Sequence, residues 1–211
     1  MTKYGTEFAV RPLVNDPDTP AQTAVRSAFT KVTQQWRSLS TAQAAAWNAY
    51  AAERSEFDRT TSVRASRSGF NWFVGLGTRY LTVNPAANTA PVSPPTSGYA
   101  GDGISITAST TSGGIKFTAS AANGSKSTTA LLVQKLRNAN AKPGKQFRTK
   151  AHFKFQTGSL ETVVNLAPGT YAVGYQFVNT DTGQETQFVS IAIVGPVTFA
   201  VSSSEPKKKA A

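Results

Sequence analysis

One short stretch of the sequence, Phe147–Phe155, alternates apolar and basic side chains. On a β-strand, alternate side chains point to opposite faces. The apolar residues would then share one face: Phe147, Ala151, Phe153 and Phe155. The other face would carry the basic residues: Arg148, Lys150, His152 and Lys154. Such a face could bind phosphate groups or an acidic protein surface. It could equally be a solvated outer face whose lysines discourage pairing at a sheet edge.

More basic residues lie in or beside the preceding strand and turn: Lys135, Arg137, Lys142 and Lys145. The sequence has no acidic residue between Asp102 and Glu161. The whole chain holds 22 Lys and Arg against 11 Asp and Glu, a net charge of +11. Charge of this sign favours an acidic partner, either a protein or a nucleic acid.

A second set of basic residues lies in the N-terminal region, with candidate contacts at Arg26, Lys31, Arg37, Arg64 and Arg67. Arginine suits interfaces because its guanidinium group pairs with carboxylates and phosphates through two hydrogen bonds. The alternative is an ordinary solvated helix surface. A basic tail with Lys207, Lys208 and Lys209 could hold nucleic acid or stay solvated.

The sequence has few residue types that catalysis or metal binding would use. It has no cysteine, and His152 is its only histidine. Disulfides, thiolate metal sites and cysteine nucleophiles are therefore excluded, and a histidine metal site is disfavoured. We see no signal peptide and no stretch apolar enough to span a membrane. We therefore predict no enzyme activity, no cofactor, no metal site, no membrane contact and no small-molecule substrate.

The N-terminal region is predicted to form two or three helices. Thr19-Pro20-Ala21-Gln22 and Ser40-Thr41-Ala42-Gln43 both have the form of a helix-capping box. The first box precedes an apolar stripe at helical spacing: Val25, Phe29, Val32 and Trp36. The break between the two helices is short, which predicts an antiparallel helix pair.

A third helix is predicted from Ser68 to Leu81, with the charged segment 53–67 before it as an exposed loop. The three tryptophans are predicted to form the small helical core: Trp36, Trp47 and Trp72. The Pro- and Gly-rich residues 83–103 are predicted to be a semi-extended linker.

From Ile104 the apolar period changes to two. The predicted strands are Ile104–Ser109, Ile115–Ala121, Thr129–Arg137, Gln146–Gln156, Glu161–Leu166, Thr170–Val178 and Glu185–Val194. Strands this short, separated by Gly- and Pro-containing turns, are typical of a β-sandwich.

The stretch Leu166-Ala167-Pro168-Gly169-Thr170-Tyr171 resembles the corner of fibronectin type III domains, a corner shared by other immunoglobulin-like sandwiches. The resemblance covers about residues 97–200. It implies that the Tyr171 hydroxyl bonds back to the backbone at the start of the sixth strand.

Residues 17–81 resemble small proteins encoded in phage and prophage structural regions. The shared positions are Thr19-Pro20-Ala21-Gln22, Val25-Arg26, Phe29, Trp36, Leu39, Ala42-Gln43, Ala46-Trp47-Asn48, Tyr50-Ala51 and Ser68-Gly69-Phe70-Asn71-Trp72-Phe73-Val74. The resemblance implies a component of a virion or of its assembly, such as a decoration, head-associated or tail-associated protein. It implies no functional residue.

Together these features predict an α+β protein: a helical docking module (1–82), a linker (83–103), an Ig-like or fibronectin-III-like β-sandwich (104–200) and a basic tail (201–211). The predicted function is that of a phage virion structural protein that docks on other virion proteins through basic surfaces. We expect it in many copies or as a homo-oligomer, in a virion assembled in the host cytoplasm. The alternative is an architectural DNA-binding protein that uses its helices and basic tail on the phosphate backbone.

Overall fold

Side-chain caps define the start of each helix. The computed structural model describes residues 19–58 and 63–197, and for Ala21 and residues 55–66 it describes the backbone alone. Helix α1 (Pro20–Trp36) and helix α2 (Thr41–Ala52) begin with the two predicted capping boxes. Helix α3 (Gly69–Val83) begins after Ser68, whose hydroxyl accepts a hydrogen bond from the Asn71 N–H at 3.2 Å. Each cap satisfies backbone N–H groups that the first helical turn leaves unpaired.

Helix α3 is the centre of the helical module, because α1 and α2 each pack on α3 more extensively than on each other. The predicted antiparallel pairing of α1 with α2 is therefore wrong. At the crossing of α2 and α3, a Cβ atom on Gly69 would lie 2.7 Å from the backbone nitrogen of Asn48, so only glycine allows this approach. The two helices can thus stack their aromatic side chains closely.

The predicted tryptophan core is confirmed. Trp47 is 2% exposed, and its ring meets Phe73 edge-on with the ring centres 5.3 Å apart. Trp36 packs on the same Phe73 ring, and Trp72 packs on Tyr50. Edge-on contacts of this kind stabilise an aromatic core beyond the area that they bury.

The segment 53–67, predicted to be an exposed loop, contains a short antiparallel hairpin. Its strands are β1 (Ser55–Asp58) and β2 (Val63–Ser66). The prediction was wrong because charged residues dominate the segment and hide any apolar alternation.

The C-terminal region forms seven strands. They are β3 (Ile106–Thr111), β4 (Gly114–Ala119), β5 (Ser127–Leu136), β6 (Arg148–Phe153), β7 (Glu161–Asn165), β8 (Gly169–Asn179) and β9 (Val189–Val197). One antiparallel sheet has the order β3-β4-β7, and the other has the order β6-β5-β8-β9. The predicted α+β fold, with helices followed by an Ig-like or fibronectin-III-like β-sandwich, is confirmed.

The sandwich core lies between the inner faces of the two sheets. Phe117, Leu131, Phe155 and Val173 are fully buried there. The Tyr171 hydroxyl donates a hydrogen bond to the Ala167 carbonyl oxygen at 2.7 Å, as the fibronectin-III-like corner implies. This bond ties the turn before β8 to the strand itself.

The helices contact the sandwich through the turn that follows β8. The Asn84 side-chain amide donates to the Thr180 carbonyl at 2.8 Å, and Arg79 forms an ion pair with Glu185 at 2.9 Å. Gly183 has φ +73°, and a Cβ there would overlap the Leu76 carbonyl oxygen. The turn therefore needs glycine both for its conformation and for its contact with α3.

Residues 83–103, predicted to be a linker, lie against both units. The Gln35 side chain exchanges two hydrogen bonds with the backbone of Ala90, at 2.7 and 2.8 Å. The Trp47 indole N–H donates to the Val92 carbonyl at 2.9 Å. The hydroxyl groups of Tyr99 and Ser127 share a hydrogen bond of 2.6 Å. These bonds fix the direction in which the chain leaves the helices and enters the sandwich.

Within residues 19–58 and 63–197, no helix is both long enough and apolar enough to cross a membrane.

Candidate docking surface on strand β6

The site is built around a β-bulge in β6, an edge strand of the four-stranded sheet. Leu131 of β5 pairs with Ala151, and the next residue, Leu132, pairs with Thr149. Lys150 is therefore an extra residue with no partner across the ladder. A bulge of this kind bends the strand and shifts the side-chain alternation by one position.

The bulge corrects the predicted alternation of Phe147–Phe155. Ala151, Phe153 and Phe155 pack in the sandwich core as expected. Phe147 instead packs on the opposite face of the sheet, against Leu132 and the Phe188 ring, whose centre lies 4.4 Å away. The predicted basic face is divided for the same reason, and its members reach two different grooves.

The first groove, which we name the α1 groove, lies between the helices and β6 and encloses about 440 Å³. Its lining is mainly apolar: Ala24, Val25, Ala28, Leu81, Pro85, Ala87 and Ala151. Lys31 and Lys150 line it with their basic side chains, and His152 lies beside Lys150 on its strand wall. The groove thus combines an apolar floor with a basic rim.

The second groove, which we name the β8 groove, encloses about 420 Å³ beside the tyrosine corner. Lys135, Arg148 and Lys150 line it together with polar and small groups that include Gln134, Asn165 and Tyr171. Lys150 lines both grooves because the bulge places it between them. The two grooves therefore adjoin at Lys150.

Within the described part of the chain, no acidic side chain lines either groove. Each acidic side chain that the structure describes has a partner elsewhere. Glu161 pairs with Lys116 at 3.1 Å, Asp181 with Lys126 at 3.0 Å, and Glu185 with Arg79 at 2.9 Å. Asp102 accepts hydrogen bonds from Asn123 and Gly124, and Glu53 lies 3.5 Å from Arg54. The positive charge along β6 is thus not neutralised by these acids.

Exposure along α1 differs from the predicted stripe. Val32 is fully buried, but Val25 is 51% exposed and Phe29 is 52% exposed. Ala28 is buried instead, and the Gln35 side chain bonds to the backbone of Ala90. The predicted stripe is therefore only partly buried, and its exposed residue Val25 lines the α1 groove.

The remaining candidate residues near β6 do not gather in the grooves. Lys154 donates a hydrogen bond to the Ser125 carbonyl at 2.6 Å. Arg137, Lys142 and Lys145 are exposed on the connection between β5 and β6. They extend the positive potential outward from the grooves without lining them.

The candidate contact residues of α1 lie partly in the α1 groove and partly on the exposed side of the helix. Lys31 lines the α1 groove and donates to the Asn88 side chain at 3.4 Å. Arg26 is exposed on α1, and Arg37 caps the end of that helix with its backbone N–H. These positions give α1 a basic character along its exposed side.

Arg64 and Arg67, two of the predicted contacts, lie at the end of β2. Arg64 is within the strand, and Arg67 directly follows it. Arg64 stands opposite Phe57 in the hairpin register, and its side chain lies outside the described atoms. The Arg67 guanidinium lies 5.5 Å from the Trp72 ring centre. Lys207, Lys208 and Lys209 lie outside the described residues, so their predicted contacts stay predictions.

Arg67 lines a third concavity of about 360 Å³, at the junction of helices and sandwich. The sequence analysis did not place Arg54 and Arg79 there beside it. Burial raises the pKa of Glu185 in this junction, and the charge of Arg79 opposes that shift. The ion pair between Glu185 and Arg79 indicates a structural contact between the two units.

His152 lies on the strand wall of the α1 groove. Partial desolvation there lowers the pKa of His152 below its ordinary value of 6.5, although the residue keeps exposed surface. The neutral ring is therefore favoured in the folded chain. Among the described residues, no group of three or more His, Cys, Asp or Glu side chains is arranged to hold a metal ion.

No protein-family model, curated protein or solved structure matches this chain. Any assignment of function therefore depends on the residues and geometry given above.

Proposed function

We propose that this chain is a structural protein of a phage-type virion that docks on another virion protein through the α1 groove and the basic β6 edge. The observation that carries the proposal is the combination of an apolar floor with the basic residues Lys31 and Lys150 in the lining of one groove. Such a groove fits an acidic polypeptide segment that also has apolar side chains. The proposal includes no catalytic step.

The apolar floor favours a protein over a nucleic acid as the partner. A phosphate backbone needs positive charge but offers little apolar surface to cover Val25, Ala28 and Leu81. An acidic amphipathic segment would bury these side chains and would also neutralise the rim. The charge would speed and orient the encounter, and the apolar contact would supply affinity.

The virion setting is supported by the sequence resemblance of residues 17–81 to proteins of phage structural regions. Virion proteins are held in lattices, where neighbouring subunits stabilise a chain that has small separate cores. This chain has two such cores, one of helices and one in the sandwich. Both would gain from surface buried between subunits.

The test is to purify particles from cells that carry the gene and to treat them with a zero-length carbodiimide cross-linker. This reagent joins lysines to carboxylates in direct contact. We expect the chain among the particle proteins, with Lys31 or Lys150 joined to an Asp or Glu of a different particle protein. Absence of the chain from washed particles would contradict the proposal, as would cross-links confined to residues remote from β6.

The rival function, an architectural DNA-binding protein, is favoured by one observation: the β8 groove gathers Lys135, Arg148 and Lys150 with less apolar surface than the α1 groove has. Its test is a titration of duplex DNA with the purified chain at two salt concentrations. Tight binding whose log affinity falls linearly with log salt would favour this rival. If the chain binds duplex DNA only weakly, and the carbodiimide reagent still joins it to another particle protein, the virion docking role is favoured.

A further inference from the structure

The β8 groove lies between the two sheets of the sandwich, beside β6. One wall comes from β5, β6 and the tyrosine corner. The opposite wall comes from Asn165, Leu166 and Ala167, at the end of β7 and in the turn after it. The volume of about 420 Å³ is within the range of about 300–1,000 Å³ that is typical of small-molecule sites. The groove is therefore large enough for a compact ligand of its own.

Two basic residues of this groove stand on the face of their sheet that otherwise packs in the core. Lys135 pairs with Tyr171 across the ladder, and Arg148 pairs with Val133. Directly paired residues of an antiparallel ladder share one face of the sheet. Tyr171 and Val133 both belong to the sandwich core. Because polar residues of a sandwich normally take the outer faces, two cations on the inner face need a specific reason.

Protection of a sheet edge explains only one of these two cations. A charge that points inward on an edge strand discourages pairing with another chain, and Arg148 lies on the edge strand β6. Lys135 lies on β5, which has a neighbouring strand on each side. Its charge therefore protects no edge.

The turn before β8 leaves room for the Lys135 side chain beside the groove. A Cβ atom on Gly169 would lie 2.9 Å from Lys135 Cε, 3.6 Å from its Nζ and 3.7 Å from Cε2 of the Tyr171 ring. Because glycine has no such atom, the lysine stem can lie across the tyrosine corner. The ammonium group therefore lies close to the backbone at this end of the groove.

No acidic residue balances the charge of this groove within the part of the chain that the structure describes. Lys150 is a third basic residue in the lining, and the sequence has no Asp or Glu in residues 103–160. Cations gathered without an acid repel one another, and an anion between them removes that repulsion. Arginine binds a phosphate group through two parallel hydrogen bonds, and lysine binds it as a point charge. A phosphate monoester carries about 1.5–2 negative charges at pH 7, more than a carboxylate does.

We propose that the β8 groove binds a phosphate group, held by Arg148, Lys135 and Lys150. The carrier is a small phosphate compound or one phosphate of a nucleic-acid single strand. A duplex is disfavoured, because specific protein–DNA interfaces usually bury about 1,000 Å² of protein surface or more. The site goes beyond the docking role and does not rest on it, since Arg148 and Lys135 do not line the α1 groove.

The test is thermal unfolding of the full chain in inorganic pyrophosphate, with sodium chloride at the same ionic strength as the reference. The test variant combines Lys135→Gln with Arg148→Gln. The control variant combines Arg137→Gln with Lys142→Gln, at exposed positions between β5 and β6 that do not line the groove. Both variants remove two positive charges and keep Lys150, so a difference between them cannot come from overall charge. Circular dichroism checks that both remain folded, and Arg148→Gln alone provides a milder variant.

We expect about 10 mM pyrophosphate to raise the melting temperature of the wild type by about 3 °C over the chloride reference, as for a dissociation constant of about 1 mM. The control variant should show the same rise. The test variant should lose most of it, which corresponds to binding at least about tenfold weaker. Arg148→Gln alone should lose part of it. Absence of a rise in the wild type overturns the inference, and so does an equal rise in the test and control variants.

A second measurement distinguishes the two carriers. Fluorescence anisotropy of a labelled, short oligothymidine strand reports binding of a nucleic-acid single strand. If the wild type and the control variant bind the strand and the test variant does not, nucleic acid is a carrier. If the strand does not bind but the pyrophosphate effect follows the expected pattern, the carrier is a small phosphate compound. Equal binding of the strand by the test and control variants would contradict a phosphate site in the β8 groove.

Discussion

The two edges of the four-stranded sheet differ in almost every surface property. Strand β6 carries Arg148, Lys150 and His152 and borders two grooves without a lining acid among the described residues. Strand β9 carries no charge and exposes Val189 and Ile193. Both strands pair with long central strands of the same sheet. Their difference therefore reflects the side chains that each edge carries and not a difference in sheet architecture.

The comparison shows two ways in which one sheet limits pairing at its edges. A free strand edge invites pairing, and lysines or bulges discourage it. On β6 the bulge places Lys150 between the two grooves, where we propose that an acidic partner docks. On β9 the register with β8 shifts twice, and Pro196 lacks the N–H group that an added strand would need.

The largest effect on stability is expected when Lys150, the bulged residue of β6, is deleted. Without it, the alternation would place Phe147 on the wrong face, away from Phe188, or would displace the core residues Ala151 and Phe153. We expect the free energy of unfolding in urea to fall by about 2 kcal/mol or more, as for an aromatic side chain that loses its burial.

Lys150→Ala is the control for this deletion. It keeps the bulge and removes the charge, so the free energy of unfolding should change by less than about 0.5 kcal/mol. Equal stability of the deletion and this variant would show that the bulge does not set the faces of β6.

A smaller effect is expected at Tyr171, on the strand β8 that joins the two edges through the sheet. Tyr171→Phe removes the hydrogen bond to the Ala167 carbonyl and leaves the ring in place. We expect the free energy of unfolding to fall by about 1 kcal/mol. An unchanged stability in the same urea titration would mean that this corner does not hold the turn before β8.

The smallest effect expected is a change in how stability depends on pH. Of the two edge strands, it concerns β6 alone, since β6 carries a histidine and β9 has no ionisable group. The pKa of His152 is lower in the folded chain than its ordinary value of 6.5. As the pH falls through 6.5, the unfolded chain binds the proton first, so stability decreases toward the lower folded pKa. His152→Gln should remove this part of the acid-side fall in melting temperature. If the melting temperature of the variant fell more steeply with acid than that of the wild type, the effect would have the opposite sign. That result would contradict a lowered pKa of His152 in the folded chain.

Local signals in the sequence were sufficient for much of the fold. The capping boxes at Thr19 and Ser40 depend on neighbouring residues alone, and the structure forms both. The turns with glycine and proline separated the strands, and the residues around Tyr171 indicated the corner. These features are short-range, so a single sequence contains them.

The grooves could not be predicted, because they depend on long-range packing. Ideal alternation around Lys150 contains no sign of the bulge, which arises from the pairing of β6 with β5. The exposed first half of α1 depends on which side of the helix α3 covers, and the apolar stripe alone does not settle that.

The most direct test of the account is to measure how much of the chain stays on washed particles when Lys31→Glu and Lys150→Glu are combined. The account predicts that the wild type remains on the particles in a fixed ratio to the other particle proteins. It predicts that the amount of the double variant on the particles, though the variant is folded, is reduced by at least about tenfold, since two charges at the groove are reversed. Retention of the double variant at the wild-type level would contradict docking through the basic edge of β6.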